Sequence, residues 1–144
     1  MKRLIIAAIA TTLAVPAFAM ANGAIDKAAQ EKGAVKTASG MVYRSIQEGS
    51  GYSPKAFSTV EVNYRGTLTD GTEFDSSYKR DKSATFRLSR VIPCWTEGVQ
   101  MMKVGGKAQL VCPPELAYGP RGTVSGSVPP NATLIFEVEL LDVK

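Results

Sequence analysis

The chain has 144 residues, of which 44% are hydrophobic and 21% are charged, with 17 Lys and Arg against 13 Asp and Glu. This composition is typical of one soluble globular domain and excludes a disordered or collagen-like chain. The cations form no stripe, which argues against nucleic acid as a partner. Histidine is absent, which removes His-dependent nucleophilic catalysis and most metal chemistry. We therefore expect no metal and no other cofactor.

Residues 1–19 have the pattern of a signal peptide, because two cations precede an apolar run that ends in small residues. Cleavage is expected after Ala19 or after Ala21. A retained membrane anchor is the alternative, but Pro16 breaks the apolar run, and we expect no stable membrane span. The pattern predicts a periplasmic or secreted protein, in surroundings that permit a disulfide.

Residues 20–39 form an extension with few large apolar groups. They predict a tether or a frayed helix that adds little to a core. Alternation of apolar and polar residues then predicts strands, at residues 41–48, 59–68, 72–76, 84–88, 107–112 and 133–143.

One convincing helix begins at Pro93, whose fixed φ suits a first helical position. Trp95, Val99 and Met102 follow at helical spacing. Residues 115–131 are rich in Gly, Pro and Ser and predict a long exposed loop, of a length that is usually functional. The whole pattern predicts an α+β fold, a twisted antiparallel sheet of about five strands wrapped around one short helix.

Five short motifs follow one another along the strands, the helix and the loop. They are 62–66 (VNYRG), 70–77 (DGTEFDSS), 91–98 (VIPCWTEG), 116–119 (LAYG) and 128–136 (VPPNATLIF). In order and spacing they resemble the FKBP-type peptidyl-prolyl cis/trans isomerases over residues 40–144. The resemblance implies an FKBP-like domain that accelerates rotation about X-Pro bonds in exported proteins during their folding.

The resemblance also implies a shallow apolar pocket between the helix and the sheet. Asp75 and Tyr118 would be its catalytic polar pair, with Arg80 as the counterion of Asp75. Trp95 would be the floor, and the backbone N–H of Ile92 would bind a carbonyl. The substrate-binding set would comprise Tyr64, Phe74, Arg80, Val91, Ile92, Trp95, Val128 and Phe136.

An apolar pocket suits this reaction because a twisted amide is less polar than a planar one. The partners would be proline-containing unfolded or partly folded polypeptides, with macrolides as candidate inhibitors. The alternative function is a non-catalytic holdase chaperone that uses the same cleft. For Asp75, the alternative is a surface carboxylate in a turn, and for the long loop it is an insertion without a role in selectivity.

Three residues depart from the family pattern. Ala84 stands where many members have a larger wall residue, which puts the grip on proline or a macrolide in doubt. Cys94 and Cys112 replace a common Gly and a common aliphatic residue, and the implied fold places them close enough for a disulfide. Two buried free thiols are the alternative. The exported relatives' long dimerising N-terminal region has no counterpart in residues 20–39, so a monomer is expected.

Overall fold

The computed structural model describes residues 17–144, with side chains from residue 23 onward. The predicted signal peptide lies outside these residues, apart from its last three. Two α-helices occur in the described part, α1 (Ala17–Ala29) and α2 (Pro93–Gln100), together with short 3₁₀ helices at Tyr78–Arg80, Leu88–Arg90 and Pro114–Leu116. The strands of this part are β1 (Ala34–Lys36), β2 (Val42–Gln47), β3 (Thr59–Leu68), β4 (Glu73–Ser76), β5 (Ala84–Arg87), β6 (Lys107–Cys112) and β7 (Leu134–Val143).

All seven of these strands belong to one antiparallel sheet with the order β1-β2-β6-β7-β3-β4. β5 also pairs with β3, at Thr59 to Val62, whereas β4 pairs with the later part of β3. The predicted α+β class is therefore confirmed, with more strands than expected. β1 was not predicted, because only one of its three residues has a large apolar side chain and an alternating pattern needs at least two.

The main core lies between α2 and the inner face of the sheet. Alternating apolar residues of β3, β6 and β7 are buried there, as are Cys94, Trp95 and Val99 of α2. Gly98 lets the helix approach closely, because a Cβ at this position would lie 2.7 Å from Leu110 Cδ2. The predicted helix is present, although it ends at Gln100, before Met102 of the predicted pattern.

A second, smaller core lies on the outer face of the sheet. Ile25 of α1 is 5% exposed and packs against Val42 and Val111 of neighbouring strands β2 and β6. The expected tether or frayed helix is thus a formed helix that covers part of the sheet. No helix among residues 17–144 has the length and apolar character needed to cross a membrane.

Cys94 and Cys112 link α2 to the end of β6. Their Cα atoms lie 5.8 Å apart, and the structure joins their sulfur atoms in a disulfide. Both residues are fully buried. This bridge fixes the start of the helix against the sheet, directly before Trp95.

Candidate active site

A pocket of about 340 Å³ opens where α2 faces β3, β4, β5 and β7. It is lined mainly by aromatic and aliphatic side chains, with polar groups at its edge. The lining residues are Tyr64, Phe74, Asp75, Phe86, Arg90, Val91, Ile92, Trp95, Tyr118 and Phe136.

Trp95 is the centre of the aromatic cluster in this pocket and is 4% exposed. Its ring centroid lies 5.2 Å from that of Tyr64, 5.6 Å from that of Phe86 and 5.4 Å from that of Phe136, and all three contacts are edge-to-face. Such contacts add to the burial energy of the rings and hold them in a fixed arrangement. The indole Nε1 is buried and has no hydrogen-bond partner among the described residues.

A hydrogen-bonded group of three side chains lies at the edge of the pocket. Tyr64 Oη donates to Asp75 Oδ2 at 2.5 Å, and Arg80 Nη1 donates to Asp75 Oδ1 at 2.9 Å. Arg80 Nη2 also donates to Tyr64 Oη at 2.9 Å. The backbone N–H of Ser76 supplies another donor to Asp75 Oδ1, at 2.8 Å. The carboxylate is therefore held in place from three directions.

These contacts shift the pKa values of Asp75 and Tyr64. Desolvation disfavours the charged form of Asp75, but the hydrogen bonds from Tyr64, Arg80 and the Ser76 amide outweigh it and lower its pKa. Burial, followed by the bond to Asp75, raises the pKa of Tyr64 to about 12. Near neutral pH the site thus contains a carboxylate and a neutral phenol.

Two donors at the pocket are free of protein partners. The Tyr118 hydroxyl and the backbone N–H of Ile92 donate to no acceptor in the described part of the chain. Burial and the nearby charge of Asp75 raise the pKa of Tyr118, so that its hydroxyl stays protonated. Both groups are available to a carbonyl that enters the pocket.

The strands position these side chains through local contacts. The buried Ser77 donates its backbone N–H to Tyr64 O at 3.0 Å, and its Oγ accepts from Tyr64 N at 2.9 Å. Gly66, next to Phe136 in the β3–β7 register, leaves room for two rings. A Cβ at Gly66 would lie 2.6 Å from Phe74 Cζ and 2.9 Å from Phe136 Cε1.

The structure brings eight of the ten residues predicted for the site to the pocket itself. Arg80 lies outside the lining but forms the expected ion pair with Asp75. Val128 also lies outside the lining and is 1% exposed in the main core. The long loop folds back on itself there, since Thr123 N donates to Val128 O and Val128 N to Thr123 Oγ1, each at 3.0 Å.

Two lining residues, Phe86 and Arg90, were absent from the predicted set. Phe86 is a large side chain in the lining two residues after Ala84, and Ala84 itself packs on the core and is not part of the lining. Phe86 and Leu88 fall on one side of the strand predicted at residues 84–88, and this signal could have identified Phe86. Arg90 ends a 3₁₀ helix of three residues, Leu88–Arg90, which is too short for a periodic pattern to mark it.

Comparisons with known proteins were made by sequence and by structure. The family described as FKBP-type peptidyl-prolyl cis-trans isomerase matches residues 51–141. The FKBP-type peptidyl-prolyl cis-trans isomerase FkpA of Escherichia coli K12 is 56% identical over 119 residues, which cover 83% of this chain and 43% of that protein. The outer membrane protein MIP of Legionella longbeachae is 49% identical over 112 residues, 78% of this chain and 48% of that protein.

Two solved structures are similar to this one. The crystal structure of FkpA from Escherichia coli has a TM-score of 0.84 at 52% identity and covers 88% of this chain and 59% of that chain. A peptidyl-prolyl cis-trans isomerase from Pseudomonas syringae pv. tomato has a TM-score of 0.82 at 33% identity, covering 92% of this chain and 98% of that one. The chain spans about half the length of the curated relatives described here.

Proposed function

The chain belongs to the FKBP-type peptidyl-prolyl cis-trans isomerase family, and we propose that its aromatic pocket accelerates rotation about X-Pro bonds in exported polypeptides as they fold. The observation that carries this proposal is the pocket itself, a buried indole surrounded by three rings with Asp75 and Tyr118 at the edge. The proline ring of the substrate packs on Trp95.

The physics of the reaction supports a pocket of this kind. Rotation about the amide bond has a barrier of ~18–20 kcal/mol, most of which is lost resonance. The planar amide has the larger charge separation, so an apolar pocket disfavours it more than the twisted form. Binding that favours the twisted form lowers the barrier without a nucleophile or a metal.

The polar groups then hold the substrate while its amide turns. The free N–H of Ile92 binds a substrate carbonyl, which fixes the chain on one side of the rotating bond. The Tyr118 hydroxyl donates to the carbonyl that turns, and the carboxylate of Asp75 provides an oriented negative charge nearby. Tyr64 and Arg80 keep that carboxylate in position.

A cis/trans isomerisation assay on a proline tetrapeptide tests the proposal. We expect the wild-type protein to accelerate isomerisation. Tyr118→Phe should lower kcat/KM by about tenfold, the equivalent of one hydrogen bond of ~1.4 kcal/mol. Asp75→Ala should also lower it. The proposal fails if the wild type gives no acceleration and Asp75→Ala behaves identically to it.

A non-catalytic holdase role was the alternative, and one of its premises was a weak wall at Ala84. Phe86 lines the pocket with a large side chain two residues after Ala84, which supports the isomerase proposal over the holdase. The same pocket is proposed to bind macrolides. Suppression of aggregation of a proline-free client, measured with and without a macrolide, separates a holdase surface elsewhere from a role of the pocket.

We further propose that the protein is exported, that residues 1–19 are removed, and that the mature chain is a monomer. The buried disulfide supports an oxidising compartment. The N-terminal sequence of the protein from a periplasmic fraction should begin at Met20 or Asn22. Light scattering of that protein should give the mass of one chain. A full-length N-terminus, or the mass of two chains, would contradict the respective proposal.

A further inference from the structure

A second groove lies beside the aromatic pocket, along the outer side of α2. It has a volume of about 570 Å³ and shares Val91 with the pocket. Its lining residues are Ser89, Val91, Pro93, Thr96, Glu97 and Gln100. A polypeptide bound in the pocket can therefore continue into this groove without leaving the protein surface.

The groove combines an apolar wall with unpaired acceptor atoms. Val91 and Pro93 supply apolar surface. Glu97 Oε2 accepts a hydrogen bond from Ser39 Oγ at 2.6 Å, which leaves Oε1 free. Gln100 uses its Nε2 to donate to Thr96 O at 2.6 Å, so its side-chain oxygen is also free. No Lys or Arg forms an ion pair with Glu97 within residues 23–144.

We propose that this groove binds a Lys or Arg of the substrate polypeptide a few residues from the proline, and that Glu97 sets this preference. The aliphatic stem of such a side chain packs on Val91 and Pro93 while its charged end reaches the acceptors. The inference rests on the proposed function and deepens it, because it defines a class of substrate.

The preference should hold on one side of the proline and not on the other. Arg90 lies at the aromatic pocket and Glu97 at the groove, with Val91 shared between these two sites. A substrate cation on the Arg90 side is repelled, whereas one on the Glu97 side is attracted. An acidic residue is disfavoured in the groove for the same reason.

Peptides of about ten residues with one central proline provide the test. Lys, Ala or Glu is placed in turn at each position up to four residues before and after the proline. For each peptide, kcat/KM is measured by exchange NMR and Kd by calorimetry, at low and at high salt. The informative quantity is the ratio of the Lys peptide to the matched Ala peptide.

For the wild type we expect the Lys peptide to be preferred about threefold on one flank, as for a partly exposed ion pair, and less at high salt. Glu97→Gln should bring the ratio to about one, and Glu97→Lys should favour the Glu peptide instead. Glu48→Gln is the matched control, since Glu48 is exposed and is not part of the groove lining, and it should keep the wild-type ratio.

Equal affinity of the wild type for the Lys and Ala peptides on both flanks overturns the inference, and so does a ratio that Glu97→Gln leaves unchanged. Failure of the isomerase proposal gives a different result from failure of this inference, because Kd is measured separately from kcat/KM. In that case the wild type binds the Lys peptide preferentially but accelerates isomerisation of no peptide.

Discussion

Asp75 is the residue on which the electrostatics of the pocket depend, since a phenol, a guanidinium and a backbone amide all donate to it. Desolvation opposes its charge, but these bonds lower its pKa below the ordinary 3.8. A lowered pKa in the folded state stabilises the protein above the ordinary value, and this contribution is lost as the pH falls through the folded-state pKa. Asp75 therefore contributes to the loss of stability below about pH 4.

Urea unfolding of the wild type and of Asp75→Asn, at pH 7 and at pH 3, measures this contribution. We expect the variant to be less stable at pH 7 and to lose less stability on acidification. Asp81→Asn is the control, because Asp81 is exposed and makes no ion pair among the described residues. Equal acid sensitivity of the wild type and Asp75→Asn would contradict this account.

A substitution at Gly66 tests how closely the side chains in the walls of the pocket are packed. In Gly66→Ala the new Cβ meets Phe74 and Phe136 at distances below 3.0 Å, so the rings must move. We expect a loss of about 1–3 kcal/mol in unfolding free energy, as for other overpacked cores, together with a lower kcat/KM. In Gly23→Ala the Cβ meets nothing within 4 Å, and because Ala favours a helix more than Gly does, this variant should lose no unfolding free energy and keep its kcat/KM. Unchanged isomerisation by Gly66→Ala would show that the walls adapt.

At the scale of elements, the disulfide connects the start of α2 to the end of β6, directly before the indole of the pocket. The two cysteines are 18 residues apart, and the loop-entropy estimate for such a span is ~3 kcal/mol. The double variant Cys94→Ala, Cys112→Ala should lose about this much unfolding free energy. Alkylation of the wild type under denaturing, non-reducing conditions should label neither cysteine. Labelling of both would show buried free thiols instead.

Elements with a strong periodic signal were predicted from the sequence almost to the residue. β3 and β6 have the predicted bounds, and β7 begins one residue later than predicted, because the alternation of these strands reflects a buried inner face. The docking of α1 could not be predicted. It depends on a single large side chain, Ile25, between small residues, and its partners Val42 and Val111 lie on strands distant in sequence.

The candidate site likewise contains residues that could be predicted from the sequence and residues that could not. Residues that lie on regular elements, such as Tyr64 and Trp95, line the pocket, and for them the motif and the periodicity agree. Val128 of the predicted set does not line the pocket, because it lies in a long loop that folds back through Thr123 and buries it in the core. Glu97 was absent from the predicted site because its groove exists only once α2 and residues 88–91 are packed together.

At the scale of the whole molecule, the two sides of the sheet have separate roles. The inner face packs on α2 and contributes the pocket, whereas the outer face packs on α1 around Ile25. None of the residues that line the pocket belongs to the outer cluster. Removal of α1 should therefore lower the unfolding free energy without lowering the activity.

A chain that begins at residue 31 lacks α1 and leaves Val42 and Val111 uncovered. We expect it to unfold with about 2 kcal/mol less free energy, roughly the value of one buried aliphatic side chain. Its kcat/KM on a proline tetrapeptide should equal that of the chain with α1, when both are measured well below their unfolding temperatures. Ile25→Ser should reproduce the loss, and Lys27→Ser, an exposed change in the same helix, should not. A reduced kcat/KM at unchanged stability would contradict the separation, because it would mean that the outer face acts on the pocket through the sheet.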